Sequence, residues 1–491
     1  MSAAKKNKRV GKTAPKTPAK TPAKPAAALR HPHHLAFSRP VEERQAEGKS
    51  LRQHCPRKSH GHWRAPSDRP DPIELLIASS AHRVASLLPI RYGRMLASPF
   101  TFYRGAAAVM AQDLSGTPAT GVMLQACGDC HLLNFGGFAT PERRLVFDIN
   151  DFDETSQAPW EWDVKRLVAS FVLAGRSNGF DEDQCREVAW NAARSYRQHT
   201  IEFSEMSVLD VWYQEIDLEA LIAAGEDDEF KGYNRRKLKN ASAENAHAAE
   251  FARMAYMSGE RPRIADHPPL IYHARDVDTD KRFRAKLEAA YSAYLDSLPP
   301  HRRLLLDRYQ LADIAIKVVG IGSVGTECGV ALMMSGNGDP LFLQYKEACT
   351  SVLEPYAGKS PYKNHGQRVV VGQQIMQAAS DVFLGWTERG DGHHFYLRQL
   401  RDVKIKPVIE TMKYENLVHY AKACGWALSR AHARSSDPVL LSGYLGAGEA
   451  FEEALSGFAV AYANQAERDH ALLKKAVRSG RIEAASDAGT G

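Results

Sequence analysis

Residues 314–348, IAIKVVGIGSVGTECGVALMMSGNGDPLFLQYKEA, leave the chain few options. The run reads as a strand, a glycine-rich turn (Gly320, Gly322, Ser323, Gly325), a second strand, a Gly-Asn-Gly-Asp-Pro turn and a third strand ending near Lys346. Strands joined by such short turns pair as antiparallel hairpins. A dinucleotide-binding G-x-G-x-x-G turn would instead pass straight into a helix. Here the glycines lead into the β-rich CGVALMM. A hairpin of this type can lay its backbone over phosphate groups, with Lys346 on the next strand to meet them.

The rest of the composition is that of an ordinary folded chain. It has 491 residues, 44% hydrophobic and 25% charged, enough for two or three domains with a large core. No run of 18 apolar residues occurs, so no membrane contact is expected. The basic N-terminus lacks the apolar stretch of an export signal. Residues 1–35 are predicted to be a disordered basic tail. Residues 3–30 are rich in Lys, Pro, Ala and Thr and hold nine Lys and Arg with no acid. The net charge of +6 therefore belongs to the tail, and the remainder is slightly acidic. A solubilising role and weak nucleic-acid contact both stay open for the tail. Seven scattered cysteines make no disulfide framework, and a cytoplasmic location with reduced thiols is expected.

A second stretch, ACGDCHLLNFGGF at 126–138, carries competing chemistries. Cys127-x-x-Cys130-His131 has the spacing of a c-type haem attachment site, of a redox pair, or of half a zinc site. Haem attachment takes place outside the cytoplasm. Zinc needs four ligands, and no second Cys-x-x-Cys follows. A thioredoxin-type pair opens a helix after a strand, whereas this pair runs into HLLNFGGF. The other reading makes the cysteines bystanders. Asp129 and Asn134 lie five residues apart, a strand-like RRLVFDI ends in Asp148-Ile-Asn-Asp151-Phe-Asp153, and Asp163 opens an apolar helix. Phosphoryl transfer needs this layout: one carboxylate to accept the proton of an attacking hydroxyl, and an amide with a second carboxylate to hold Mg²⁺ against the phosphates.

Residues 127–163 resemble the catalytic loop of the aminoglycoside-phosphotransferase and choline-kinase branch of the protein-kinase-like superfamily. That branch reads His-Gly-Asp-x-His-x-x-Asn, then a strand ending in Asp, then a further Asp. Here Cys127 replaces the first His. The resemblance implies an α+β, kinase-like two-lobe fold using ATP and Mg²⁺. It makes Asp129 the base with His131 beside it, Asn134 and Asp151 the metal ligands with Asp148 as the rival, and Asp163 the loop anchor. Gly320, Gly322, Ser323, Gly325 and Lys346 would bind the nucleotide. In that branch the glycine-rich lobe precedes the catalytic loop, and here it follows. A helix predicted over 414–436 also resembles the one that precedes the loop. A circular permutation is therefore expected. Residues 70–310 would supply a helical segment, the catalytic loop and C-lobe helices (163–310). Residues 311–400 would form the β-rich nucleotide lobe, including a helix over 366–383 and a strand over 393–400. Residues 401–480 would return as helices to the C-lobe. Glu347 and Glu354 are the candidate partners for Lys346.

RYGRMLASPFTFYRGAA, CGDCHLLNFG, INDFDET, EWDVKRLVAS, VGIGSVGT and LQYKEA together resemble an uncharacterised bacterial family, domain of unknown function 2252, over roughly 70–440. That resemblance implies a kinase-like fold and no particular substrate. Arg91, Arg94 and Arg104, among aromatic residues, would either bind an anionic group or pair with acids. The charged run within 205–300 is expected to be a solvated face, and by analogy this insert would carry acceptor specificity. The expected function is ATP- and Mg²⁺-dependent phosphoryl transfer to a hydroxyl of a small-molecule acceptor. Adenylyl transfer or protein phosphorylation on the same fold, and a non-catalytic ligand-sensing or nucleic-acid-associated module, are the alternatives.

Overall fold

In the computed structural model the strands Tyr309–Lys317, Cys328–Ser335 and Pro340–Glu347 form the middle of a six-stranded antiparallel sheet. Its order is 385–388, 394–399, 340–347, 328–335, 309–317 and 271–272. The structure describes residues 39–485 apart from 226, 228–230, 233–234, 237–250, 260, 274–279, 319 and 401–403. The basic tail and most of the charged run lie outside them. Pro40–Gly491 form one compact unit, and the other unit, Met1–Arg39, contributes only Arg39 to the described residues.

Successive side chains of a strand point to opposite faces, and here both faces are covered. Ile314, Ala331, Met333, Leu341 and Leu343 pack against Tyr294 of the helix Lys281–Ser297. Ala315, Val330, Leu332 and Phe342 pack with Met254, Ala255 and Ile264. Double burial explains why CGVALMM is continuously apolar rather than alternating. It also corrects the expectation that 163–310 is helical throughout. Ala255–Ser258 and Arg261–Ile264 form a hairpin that covers the sheet, and Ile271–Tyr272 extends the sheet's edge.

The main core lies among the helices Trp160–Ser177, Glu182–Glu205, Tyr414–Ser435 and Ala450–Arg478. Trp160 stacks on Tyr196 there, with ring centroids 5.8 Å apart. Gly425 lets two of these helices meet at backbone distance, since a Cβ there would stand 2.3 Å from the Ala192 carbonyl oxygen. Gly425→Ala is therefore expected to destabilise by about 1–3 kcal/mol despite a better helix propensity. Urea unfolding would show a lower midpoint with an unchanged slope.

Two small sheets frame the region of the acidic motifs. Met123–Ala126 pairs with Ser156–Pro159, and Phe135–Ala139 pairs with Leu145–Ile149 and Lys404–Ile405. The helix expected over 366–383 is shorter, His365–Met376. Arg430 takes the Met376 carbonyl at 2.7 Å and the Asp148 carboxylate takes the Ala378 N–H at 2.9 Å. Those two contacts occupy backbone groups that another helical turn would use. No helix among the described residues is long and apolar enough to cross a membrane.

Candidate functional site

The 127–134 loop is held from the first turn of the helix Trp160–Ser177. Asp163 accepts hydrogen bonds from the backbone N–H of Cys127 (2.6 Å) and Gly128 (2.9 Å). Gly128 has φ +86°, and a Cβ on it would lie 2.3 Å from the Glu154 carbonyl oxygen, so only glycine fits. His432 Nε2 stands 3.3 Å from Asp163, bringing the helix Tyr414–Ser435 against the same anchor. Within the loop, Asn134 Nδ2 donates to the Asp129 carbonyl at 2.6 Å. The Asn134 carbonyl accepts from Asn150 N–H at 2.9 Å, which ties this loop to the acidic one.

Asp129 presents its two oxygens differently. Oδ1 receives Arg166 Nε at 2.7 Å and Nη2 as well. Oδ2 lies 3.9 Å from His131 Nε2 and 3.9 Å from where a Cβ on Gly322 would stand. Burial pushes His131 down to about 3, so it is neutral near pH 7, and its Nδ1 is buried without a hydrogen-bond partner.

Lys346 is buried, and its ammonium donates to Asp153 Oδ2 at 2.5 Å. Tyr396 donates to the other oxygen of Asp153 at 2.6 Å. Burial works against the Asp153 charge, yet Lys346 and Tyr396 hold its carboxyl below the ordinary carboxylate range. Asp151 moves the other way, pushed up by burial and by the neighbouring Asp153 charge. Neither Glu347 nor Glu354 reaches Lys346. Glu347 is the next residue along the strand and points to the other face, where it meets His393 at 2.8 Å. Glu354 binds the N–H groups of Ser351 and Ser360.

Asp129, His131, Asn134, Asp151, Asp153 and Lys346 line one cavity of about 560 Å³. Of the residues singled out in the sequence, Asp129, His131, Asn134, Asp151, Asp153, Gly320, Gly322, Lys346 and Glu347 border it. Gly325 does not. Its turn packs on Arg83, which donates to the Val324 carbonyl at 2.6 Å, while Val84 N–H donates to the Gly325 carbonyl at 2.7 Å. The Ser323 side chain lies outside the described residues. Asp148 also stands apart from the cavity. Both of its oxygens receive Arg430 Nη2 at 2.7 Å, with each side chain 1% exposed. That ion pair leaves Asp148 a structural partner of Arg430. Of the arginines, Arg91 and Arg104 border the cavity and Arg94 does not.

Sequence reasoning missed Arg166, Arg83, Arg398 and the role of Asp153. Arg166 carried a signal: it lies three residues after Asp163, on the same helix face. The lining of the cavity offers mainly hard oxygen donors beside fixed cations. Among the described residues no three His, Cys, Asp or Glu side chains converge as a metal cage. Cys127 and Cys130 have no exposed surface and pack within the main core. Burial drives the Cys130 thiol well above its ordinary value, so it is not a reactive thiolate.

Neither the curated proteins nor the solved structures compared with the chain yield a match. A family model described as an uncharacterized protein conserved in bacteria (DUF2252) matches residues 83–476. That span takes in both acidic loops, the glycine-rich turn, Lys346 and every cavity arginine named above, and the chain belongs to this family.

Proposed function

We propose that the chain is an ATP- and Mg²⁺-dependent phosphotransferase acting on a hydroxyl of a small molecule, on a kinase-like fold with its segments in permuted order. One observation carries this reading. Asp129, Asn134 and Asp151 come from one stretch, and Gly320, Gly322 and Lys346 from another far along the chain, yet all border a single cavity. The permuted order is supported by the helix Tyr414–Ser435, which returns His432 to Asp163 and Arg430 to Asp148.

The donor set suits a hard cation. Asp151 and Asn134 offer oxygen ligands, and a divalent charge would relieve the repulsion between Asp151 and Asp153. Mg²⁺ commonly takes one or two carboxylates and completes its shell with phosphate oxygens and water, so an all-protein cage is not required. When bound, it would neutralise charge on the phosphate oxygens.

The chain's own groups then have distinct tasks. Lys346, fixed by Asp153 and Tyr396, meets the phosphates, and the backbone of 320–322 covers them. Arg166 fixes Oδ1 of Asp129, which leaves Oδ2 for the acceptor. Oδ2 takes the hydroxyl proton as the acceptor oxygen bonds to the γ-phosphorus. The bond from that phosphorus to the bridging oxygen breaks, and ADP leaves with the electron pair. Neutral His131 borders Oδ2 without adding a competing charge. Positioning and fixed charge supply most of the rate in such a reaction.

Calorimetric titration of ATP, with and without Mg²⁺, tests the reading. Wild type is expected to bind in a Mg²⁺-dependent manner. Lys346→Ala, checked for its fold by circular dichroism, is expected to bind at least about thirtyfold more weakly. Absence of Mg²⁺-dependent binding in the wild type would overturn the proposal.

A further inference from the structure

One wall of the cavity comes from residues 79–108 and carries three guanidinium groups, Arg83, Arg91 and Arg104. Arg91 is 2% exposed, and the other two are half-buried. The hydrogen bonds of Arg83 and Arg91 go to neutral oxygens. Arg83 donates to the Val324 carbonyl, and Arg91 donates to the Gly105 carbonyl at 2.7 Å and the Ser80 hydroxyl at 3.3 Å. The Nε atoms of all three are buried without an acceptor. Among the described residues none of the three has a carboxylate at ion-pair distance. A buried guanidinium is ordinarily paired, because desolvating its charge is costly. Burial and the charge of Arg83 push Arg91 down to about 9, so the cluster as it stands is electrostatically strained. A planar fork of donors matches an oxyanion.

The cations of the cavity lean toward two ends, with Asp151 between them. Lys346 and Arg398 act on Asp153 and Asp151. Arg104 lies near Asp129 first, then Glu410 and Asp151, and also acts on His131, so it stands toward the Asp129 end where the hydroxyl would sit, with Glu410 on the same side of the cavity. Arg91 joins it through the carbonyl of Gly105, the next residue to Arg104.

We propose that Arg91 and Arg104 receive a phosphate group carried by the acceptor, so that the substrate is a phosphorylated alcohol or sugar. The hydroxyl in this assignment rests on the phosphotransferase reading, and the anion rests on the arginines. Lys346 and Arg398 would serve the nucleotide, while Arg83 braces the glycine-rich turn between the two ends.

The test uses the full chain and inorganic phosphate as the probe, titrated calorimetrically at constant ionic strength. It is run with and without saturating Mg²⁺ and a non-hydrolysable ATP analogue. Phosphate is expected to bind in both conditions. Arg104→Gln, chosen because its site is only half-buried, is expected to weaken phosphate binding about tenfold or more. Arg104→Lys keeps the charge, loses the fork and is expected to fall between. Melting curves of both variants separate loss of binding from loss of fold. Displacement of phosphate by the analogue would overturn the proposal and give the arginines to the nucleotide's own phosphates. Binding unchanged by Arg104→Gln in a folded variant would overturn it as well. Arg104-dependent phosphate binding in a chain that fails to bind the analogue would uphold the anion site and remove the phosphotransferase reading.

Discussion

Asp148→Ala is expected to lower the unfolding free energy by about 3–5 kcal/mol, the usual loss when one partner of a buried ion pair is removed. The Arg430 guanidinium has no exposure to speak of, and Asp148 is its carboxylate partner. Its Nε and Nη1 atoms are already buried without acceptors. Removing Asp148 leaves that charge in the core and also frees the Ala378 N–H that now stops the helix His365–Met376. Replacing both partners together, with Asp148→Leu and Arg430→Met, is expected to be much milder, because two apolar groups need no compensation. Urea unfolding of the two variants measures the difference. If Asp148→Ala keeps its stability and instead loses Mg²⁺-dependent ATP binding, Asp148 is the metal ligand and Asp151 is not.

Asp129→Asn is expected to reduce phosphoryl transfer by about 10²–10⁴-fold, the range for losing a general base, while Mg²⁺-dependent ATP binding stays close to wild type. The asparagine keeps an oxygen for Arg166 but no longer balances its charge, so a lower melting temperature should accompany the loss. Asp151→Asn is expected to weaken both transfer and Mg²⁺-dependent binding. Transfer can be followed from γ-labelled ATP into a bacterial metabolite extract, with labelled products separated from ATP and free phosphate. Full transfer activity in both variants would remove the assigned roles.

The central meander was legible because glycine-rich turns separate runs with strand character, and nothing in the tertiary structure opposes that local preference. The loop residues were legible through spacing. The pairing of Lys346 was not. Asp153 lay in plain view within FDINDFD, but several registers of that run are locally equivalent, and only long-range contacts separate Asp148, Asp151 and Asp153. The end of the helix His365–Met376 was hidden for the same reason, since the groups that stop it belong to Asp148 and Arg430. The hairpin Ala255–Ser258 to Arg261–Ile264 did carry a local sign, a glycine at its turn, Gly259, which takes φ +66° in the structure; it follows the charged run read as a solvated face.

The spacing between the acids and their counter-charges has a consequence for synthesis. Asp153 and Lys346 are 193 residues apart, and Asp148 and Arg430 are 282 apart. At about 5–20 residues per second, the acid-rich loop leaves the ribosome roughly ten seconds to a minute before the cations that neutralise it. Throughout that interval the loop has reason to stay hydrated. A chain that terminates before Arg430 lacks the guanidinium that neutralises Asp148, a carboxylate 1% exposed in the finished fold.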